Sequence, residues 1–104
     1  AHRKALQQLK PAEALIATKE NAKFYALMSD AIADFLMAKY QLQRSELSKQ
    51  QIENRLKLKQ VDAATIQRLL KVIDECEFAK FAPASDEGGL KNLLNEVKDI
   101  MRSL

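Results

Sequence analysis

The residue type best suited to chemistry in this sequence is a single cysteine, Cys76, in the stretch IDECEFAKFAP. A nucleophilic thiol needs nearby positive charge or a helix N-terminus to lower its pKa. This thiol instead falls late in a predicted helix, and its neighbours in the chain are the acids Asp74, Glu75 and Glu77. The only histidine, His2, lies near the other end of the sequence, so a Cys/His pair is not expected. The pattern favours a protonated cysteine that packs in the core as a small apolar side chain.

The remaining polar residues are not spaced for a metal centre or a phosphate loop. One cysteine and one histidine cannot supply a zinc-ligand pattern, and side chains one or two positions apart on a helix do not face each other. Asp30 and Asp34 are four positions apart and could approach one cation, but a solvated helix surface is the simpler interpretation. Gly88–Gly89 lacks the lysine and spacing of a P-loop. We therefore predict no catalytic residues, no metal and no cofactor, with a thiol or redox enzyme as an alternative that rests on Cys76 alone.

The size and composition of the chain predict a single helical domain over residues 1–104. Its 104 residues are a usual size for one domain, and with two Gly and two Pro it is rich in helix-favouring residues. The formal net charge is +3. Residues 44–71 carry seven basic and three acidic side chains, a surplus of four, whereas residues 74–90 carry five acids and one lysine, a deficit of four. Charges of both signs are interleaved, unlike the basic stripe of a nucleic-acid-binding protein.

Hydrophobic periodicity predicts five helices. They are Arg3–Thr18 with a break at Pro11, Ala22–Tyr40, a short helix after the N-cap Ser48, a helix after the N-cap Asp62, and a last helix from residues 85–87 to the chain end. The second of these has the widest apolar face and is expected to be the central helix. We therefore predict an all-α fold, a single compact bundle of four to five helices.

The third and fourth helices begin with sequence signals for N-capping. Ser48, with Gln51 three positions later, is a capping-box pattern, and Asp62 takes the same position before the fourth helix. An apolar face of the fourth helix then continues to the cysteine, through Ile66, Leu69, Leu70, Ile73 and Cys76. This spacing places the sulfur on a buried face.

Two phenylalanines follow the cysteine and are candidate aromatic contacts. Phe78 and Phe81 are three positions apart, just before Pro83 disfavours continuation of the helix. The first interpretation is that both turn back and close one end of the bundle, which would bury a large apolar area. The alternative is an aromatic contact with a partner protein.

Two clusters of charge are candidate contact sites for a partner. Arg55, Lys57 and Lys59 form the basic cluster, and the three acids around Cys76 form the acidic cluster. Each is interpreted first as a solvated helix surface. The alternative is that the clusters steer a partner into place, an effect that salt would weaken. Peripheral binding of nucleic acid or anionic lipid through residues 44–71 is a further alternative.

Three stretches together resemble a known family. KFYALMSDAIADFLMAKY (Lys23–Tyr40), SELSKQQIENRL (Ser45–Leu56) and IDECEFAKFAP (Ile73–Pro83) resemble the C-terminal region of the BatD family of bacterial aerotolerance (oxygen tolerance) proteins. The order and spacing of the stretches, with the amphipathic helix that follows, are similar over nearly the whole chain. The third stretch is the most specific. Phe81 departs from the tyrosine of the family pattern, which removes a hydroxyl contact and keeps the aromatic packing role.

The resemblance implies a setting for this domain. It would be the C-terminal fragment of a larger membrane-anchored protein of the bacterial inner membrane, with this domain on the cytoplasmic side. The implied partners are von Willebrand A-type membrane proteins and a MoxR-type AAA+ ATPase, and the family supplies no catalytic residues to carry over. The basic start His2–Arg3–Lys4 would suit the cytoplasmic flank of a membrane helix. We therefore predict a non-catalytic protein–protein interaction domain.

Overall fold

The structure, a computed structural model, describes residues 2–79 and 87–104. These residues form six α-helical segments and one 3₁₀ turn, joined by short connections. They are α1 (His2–Gln8), α2 (Ala12–Ala17), α3 (Asn21–Tyr40), the 3₁₀ turn (Arg44–Glu46), α4 (Lys49–Leu58), α5 (Ala63–Ala79) and α6 (Glu87–Ser103). Because α1 and α2 are the two halves of the first predicted helix, the predicted bundle is confirmed. The radius of gyration, 13.2 Å, equals the value of about 13 Å expected for a compact domain of this length.

The break between α1 and α2 lies at Pro11, where the sequence predicts it. Proline has no N–H to donate, so the regular ladder of hydrogen bonds is interrupted there. The chain tightens into three-residue turns on both sides, with Lys10 N bonded to Gln7 O at 3.1 Å and Ala12 N bonded to Leu9 O at 3.0 Å. The Pro11 carbonyl then accepts from Leu15 N at 3.1 Å, which starts α2.

Both predicted N-caps are confirmed. Ser48 precedes α4, and its Oγ accepts a hydrogen bond from Gln51 N at 3.3 Å. The Asp62 carboxylate precedes α5, accepts from Thr65 N at 3.0 Å and from the Thr65 hydroxyl at 2.7 Å, and has its pKa lowered by these bonds. Side-chain acceptors thus satisfy N–H groups that have no partner within the helix.

Three helices end on left-handed residues that are not glycine. Lys19, Gln41 and Gln60 follow α2, α3 and α4 with φ values of 59°, 53° and 62°. At the end of α4, Gln60 N bonds to Lys57 O and Val61 N bonds to Leu56 O, each at 3.0 Å. This pair of bonds is the Schellman arrangement, in which glycine is the usual left-handed residue.

The helix α3 is the central element, as its wide apolar face predicts. It packs against α1, α2, α5 and α6. Around it, α6 also contacts α1, α2 and α5, whereas α4 packs mainly on α5. The buried apolar side chains form one cluster along α3, to which α3 contributes Phe24, Met28, Phe35 and Leu36 among others. Burial of this cluster is the main term that stabilises the fold.

The core face of α5 is turned slightly from the predicted one. Its buried residues are Thr65, Ile66, Leu69, Val72, Cys76 and Ala79, whereas Leu70 and Ile73 are half-buried. Cys76 has only 1% of its surface exposed, so its predicted core position is confirmed. Leu70 and Ile73 lie on the flanks of α5 rather than at the centre of its buried face.

Candidate docking surface

The structure shows where the residues that the sequence offers for chemistry lie. The Cys76 sulfur lies in the core, and the His2 ring packs edge-on against Phe35, with centroids 5.3 Å apart. Asp34 accepts a hydrogen bond from the Gln8 side chain at 2.9 Å. Within residues 2–79 and 87–104, no group of three or more His, Cys, Asp or Glu side chains is placed to hold a metal ion.

The acidic cluster is divided between two sides of α5. Asp74 forms an ion pair with Lys49 of α4, and this bond is the main cause of a raised pKa at Lys49. Glu77, almost one turn later, adds a smaller electrostatic effect on the same ammonium group. Glu75 instead lines a groove between α5 and α6. The structure therefore brings Asp74 and Glu77 together beside α4 and places Glu75 apart from them.

Phe78 does not close the bundle, so the first interpretation of this residue is wrong. Its side chain is 70% exposed. It follows Cys76 by two positions, about 200° of rotation around the helix, which turns it away from the buried face. The next buried side chain is Ala79, which occupies little of the core. The other aromatic candidate, Phe81, lies outside the described residues.

The basic cluster is also divided, because two of its members have partners. Arg55 pairs with Glu46, Nη2 to Oε2 at 3.2 Å, and also donates to the last main-chain carbonyl of α3 at 3.4 Å. Lys57 pairs with Glu53 at 3.4 Å along α4. Lys59 is exposed at the end of α4 and forms no ion pair with the described residues. Arg55 therefore joins α4 to the preceding segment, and the two lysines remain at the surface.

Leu58 is an exposed apolar residue that the sequence analysis did not single out. It is 78% exposed and lies between Lys57 and Lys59. The buried residues of α4 are Ile52 and Leu56, and a residue two positions after Leu56 falls on the opposite side of the helix. That offset from the apolar stripe is the signal that could have identified it.

A half-open apolar pocket of about 150 Å³ is the other feature that the sequence analysis missed. It lies where α3, α4 and α5 meet, and Glu77, the residue before Phe78, is part of its rim. Its lining residues are Ser29, Ile32, Ala33, Leu36, Leu47, Ile52, Ile73, Cys76 and Glu77. Two small residues, Ser29 and Ala33, occur four positions apart beside the bulky apolar face of α3. This pair was the signal of a gap, but its depth depends on side chains from the other helices.

The chain matches no family model, no curated protein and no solved structure. Within the described ranges, no helix has both the length and the hydropathy needed to cross a membrane. The geometry of the surface is therefore the basis for assigning a function.

Proposed function

We propose that this domain is a non-catalytic docking module for other proteins, and that its contact surface centres on Phe78. The observation that carries the proposal is the 70% exposure of this phenylalanine on an otherwise well-packed helix. Aromatic residues are enriched in protein interfaces, and burying one fully contributes about 1.5–3 kcal/mol. A phenylalanine that is covered so little by the described part of the domain is available to stabilise a complex.

Acidic side chains around Phe78 give this surface a charge preference. Asp74 and Glu75 lie four and three positions before it, the spacing at which side chains on a helix are neighbours. Glu77, the preceding residue, points about 100° away around the helix, towards Lys49 of α4. We call Phe78 with these three acids the acidic–aromatic surface. A partner that surrounds an apolar pocket with Lys or Arg would complement both features, and its association rate would fall with salt.

The family resemblance supplies the candidate partners. The proposal places the domain at the cytoplasmic face of the bacterial inner membrane, within a larger membrane-anchored protein. The partners are then the cytosolic domains of von Willebrand A-type membrane proteins and the MoxR-type AAA+ ATPase. Both contacts are of the protein–protein kind, so no cofactor takes part.

Binding of purified partner domains to the immobilised domain tests the proposal. We expect binding that weakens between about 50 and 300 mM salt and that falls about tenfold or more for Phe78→Ala. Leu58→Ala is the matched control, because Leu58 is also highly exposed but lies away from the acidic–aromatic surface. Along α4 it is nine residues, about 13 Å of helix rise, beyond Lys49, the residue that pairs with Asp74. The proposal fails if neither partner binds, or if both substitutions leave binding unchanged.

A second candidate function, binding to anionic lipid, is favoured by the exposure of Leu58. Lys57 and Lys59 flank an apolar side chain that is 78% exposed, and such a side chain contributes to membrane insertion but not to contacts with phosphates of nucleic acid. Each lysine near an anionic surface contributes about 1 kcal/mol. Sedimentation with phosphatidylserine vesicles at low salt should recover the wild type and not the Lys57→Glu/Lys59→Glu variant. A gel shift with duplex DNA that the same variant abolishes would favour nucleic acid instead.

A further inference from the structure

The pocket between α3, α4 and α5 has the size of one apolar side chain. An engineered cavity of about 150 Å³ lined by Leu, Ile and Phe in another protein stays dry and binds benzene. The pocket described here has a volume of about 150 Å³, and its lining includes Ile32, Leu36, Ile52 and Ile73. It therefore offers room and apolar contacts for a leucine or phenylalanine side chain, which would displace water from this surface.

Two carboxylates beside the pocket, Asp74 and Glu77, share one ammonium group, that of Lys49. Asp74 is paired with Lys49. Glu77 lines the pocket and has no ion pair of its own among the described residues. An occupant that carries a positive charge next to its apolar group would therefore gain an ion pair as well as apolar burial.

A second copy of this chain does not fit these charges. Phe78 of another copy would match the pocket in size, and a twofold interface would insert both phenylalanines at once. That arrangement would also bring Asp74 and Glu77 of one copy close to the same acids of the other, which is unfavourable. The charge at the rim favours a basic partner over self-association.

We propose that this pocket receives one leucine- or phenylalanine-sized side chain from a partner protein, in a segment where Lys or Arg flanks that side chain. The inference rests on the proposed docking function and gives it a second contact point. Asp74 is three positions before Glu77 and four positions before Phe78, so it neighbours both on α5 and joins the pocket to the acidic–aromatic surface. The partner inserts an apolar side chain into this domain and receives Phe78 in return, while its basic residues face the acids between the two contacts.

A substitution that fills the pocket without disturbing the core tests the inference. Ala33 is half-exposed at the pocket wall, and leucine is a good helix former, so Ala33→Leu should fold and occlude the site. Ala26→Leu is the matched control, because Ala26 is exposed on the same helix and does not line the pocket. Equal melting temperatures for the two variants establish that any difference in binding is local.

Two readouts separate this inference from the docking function. In the first, ¹³C-methyl NMR follows the methyl groups of Ile32, Ile52 and Ile73 during titration with acetyl-Lys-Phe-Arg-amide or acetyl-Lys-Ala-Arg-amide at millimolar concentration. We expect chemical-shift changes with the Phe peptide and none with the Ala peptide. Ala33→Leu should abolish these changes, and Glu77→Gln should weaken the affinity for the Phe peptide about two- to fivefold. In the second, Ala33→Leu weakens partner binding about tenfold or more, and Ala26→Leu does not.

Each outcome decides one of the two proposals. Methyl groups that do not respond to the Phe peptide overturn the pocket inference. So does a partner that binds the wild type and Ala33→Leu equally, even though the docking function then stands. If no partner domain binds, the docking function fails, and the peptide titration alone decides whether the pocket accepts a basic–apolar segment.

Discussion

Arg68 of α5 and Glu96 of α6 form a hydrogen-bonded ion pair, with Nε 2.9 Å from Oε1. The bond raises the pKa of Arg68 and lowers the pKa of Glu96. The two side chains are 39% and 40% exposed, so solvent screens much of their attraction. It joins two helices whose contact closes the core beside α3.

The Arg68–Glu96 pair makes part of the free energy of unfolding depend on pH. The folded pKa of Glu96 lies below its ordinary value of 4.5, so its contribution is present above about pH 4.5 and is lost as the pH falls through the lowered pKa. We expect Glu96→Gln to lower the free energy of unfolding by up to about 1 kcal/mol at pH 7. The difference from the wild type should shrink at pH 3. Urea unfolding at both pH values measures it, with Asp30→Asn, an exposed acid of α3, as the control.

Cys76 should tolerate alanine better than serine. A hydroxyl in place of the buried sulfur puts a more polar group into the core, which costs about 1–3 kcal/mol when its hydrogen bonds are not satisfied. Alanine leaves only a small cavity. Thermal melts of Cys76→Ser and Cys76→Ala should therefore show the lower melting temperature for serine, and the reverse order would contradict the packing role. Labelling of the wild-type thiol should be slow until the domain unfolds.

Phe78 should be dispensable for stability. Because its side chain is 70% exposed, Phe78→Ser should change the free energy of unfolding by no more than about 0.5 kcal/mol. Phe24→Ala is the contrasting variant: Phe24 is fully buried, and its truncation should cost about 3–5 kcal/mol. Chemical denaturation of both variants makes the comparison. A large loss of stability for Phe78→Ser would mean that this residue belongs to the core and not to a docking surface.

The left-handed end of α4 offers a stabilising substitution. Gln60 has a φ of 62°, which is unfavourable for a residue with a Cβ and free of that cost for glycine. Gln60→Gly should raise the free energy of unfolding by about 0.5–1 kcal/mol. The same change at Gln67, an exposed position inside α5, should lower it by about 1 kcal/mol. Melting temperatures that move in the same direction for both variants would contradict this account.

The sequence predicts the elements of the fold well because most of their signals are local. Pro11 breaks a hydrogen-bond ladder wherever it occurs in a helix, and the caps Ser48 and Asp62 act on N–H groups two or three residues away. The ends of helices are harder to predict. This chain has glycine only at residues 88 and 89, so the residues that terminate α2, α3 and α4 carry no distinctive signal.

The surface was predicted less well, because it depends on how the helices face one another. Residues 74, 75 and 77 read as one acidic cluster in the sequence, yet α4 approaches one side of α5 and α6 approaches the other. Phe78 was expected in the core because large aromatic residues are often recruited there. The rotation of α5 that buries Cys76 and Ala79 turns Phe78 away from the core. The pocket draws its walls from three helices, so no single segment reveals it.

The way α4 is attached has a consequence for motion. The helix α3 contacts four neighbours and cannot open alone, so its central amide protons should exchange with solvent only when the whole domain unfolds. The helix α4 packs mainly on α5, and it supplies Ile52 to one wall of the pocket, beside Leu47 of the segment that precedes it. Local opening of α4 would therefore change the width of the pocket while the remaining core stays closed. An occupant that holds this wall in place should slow amide exchange in α4 and leave α3 unaffected.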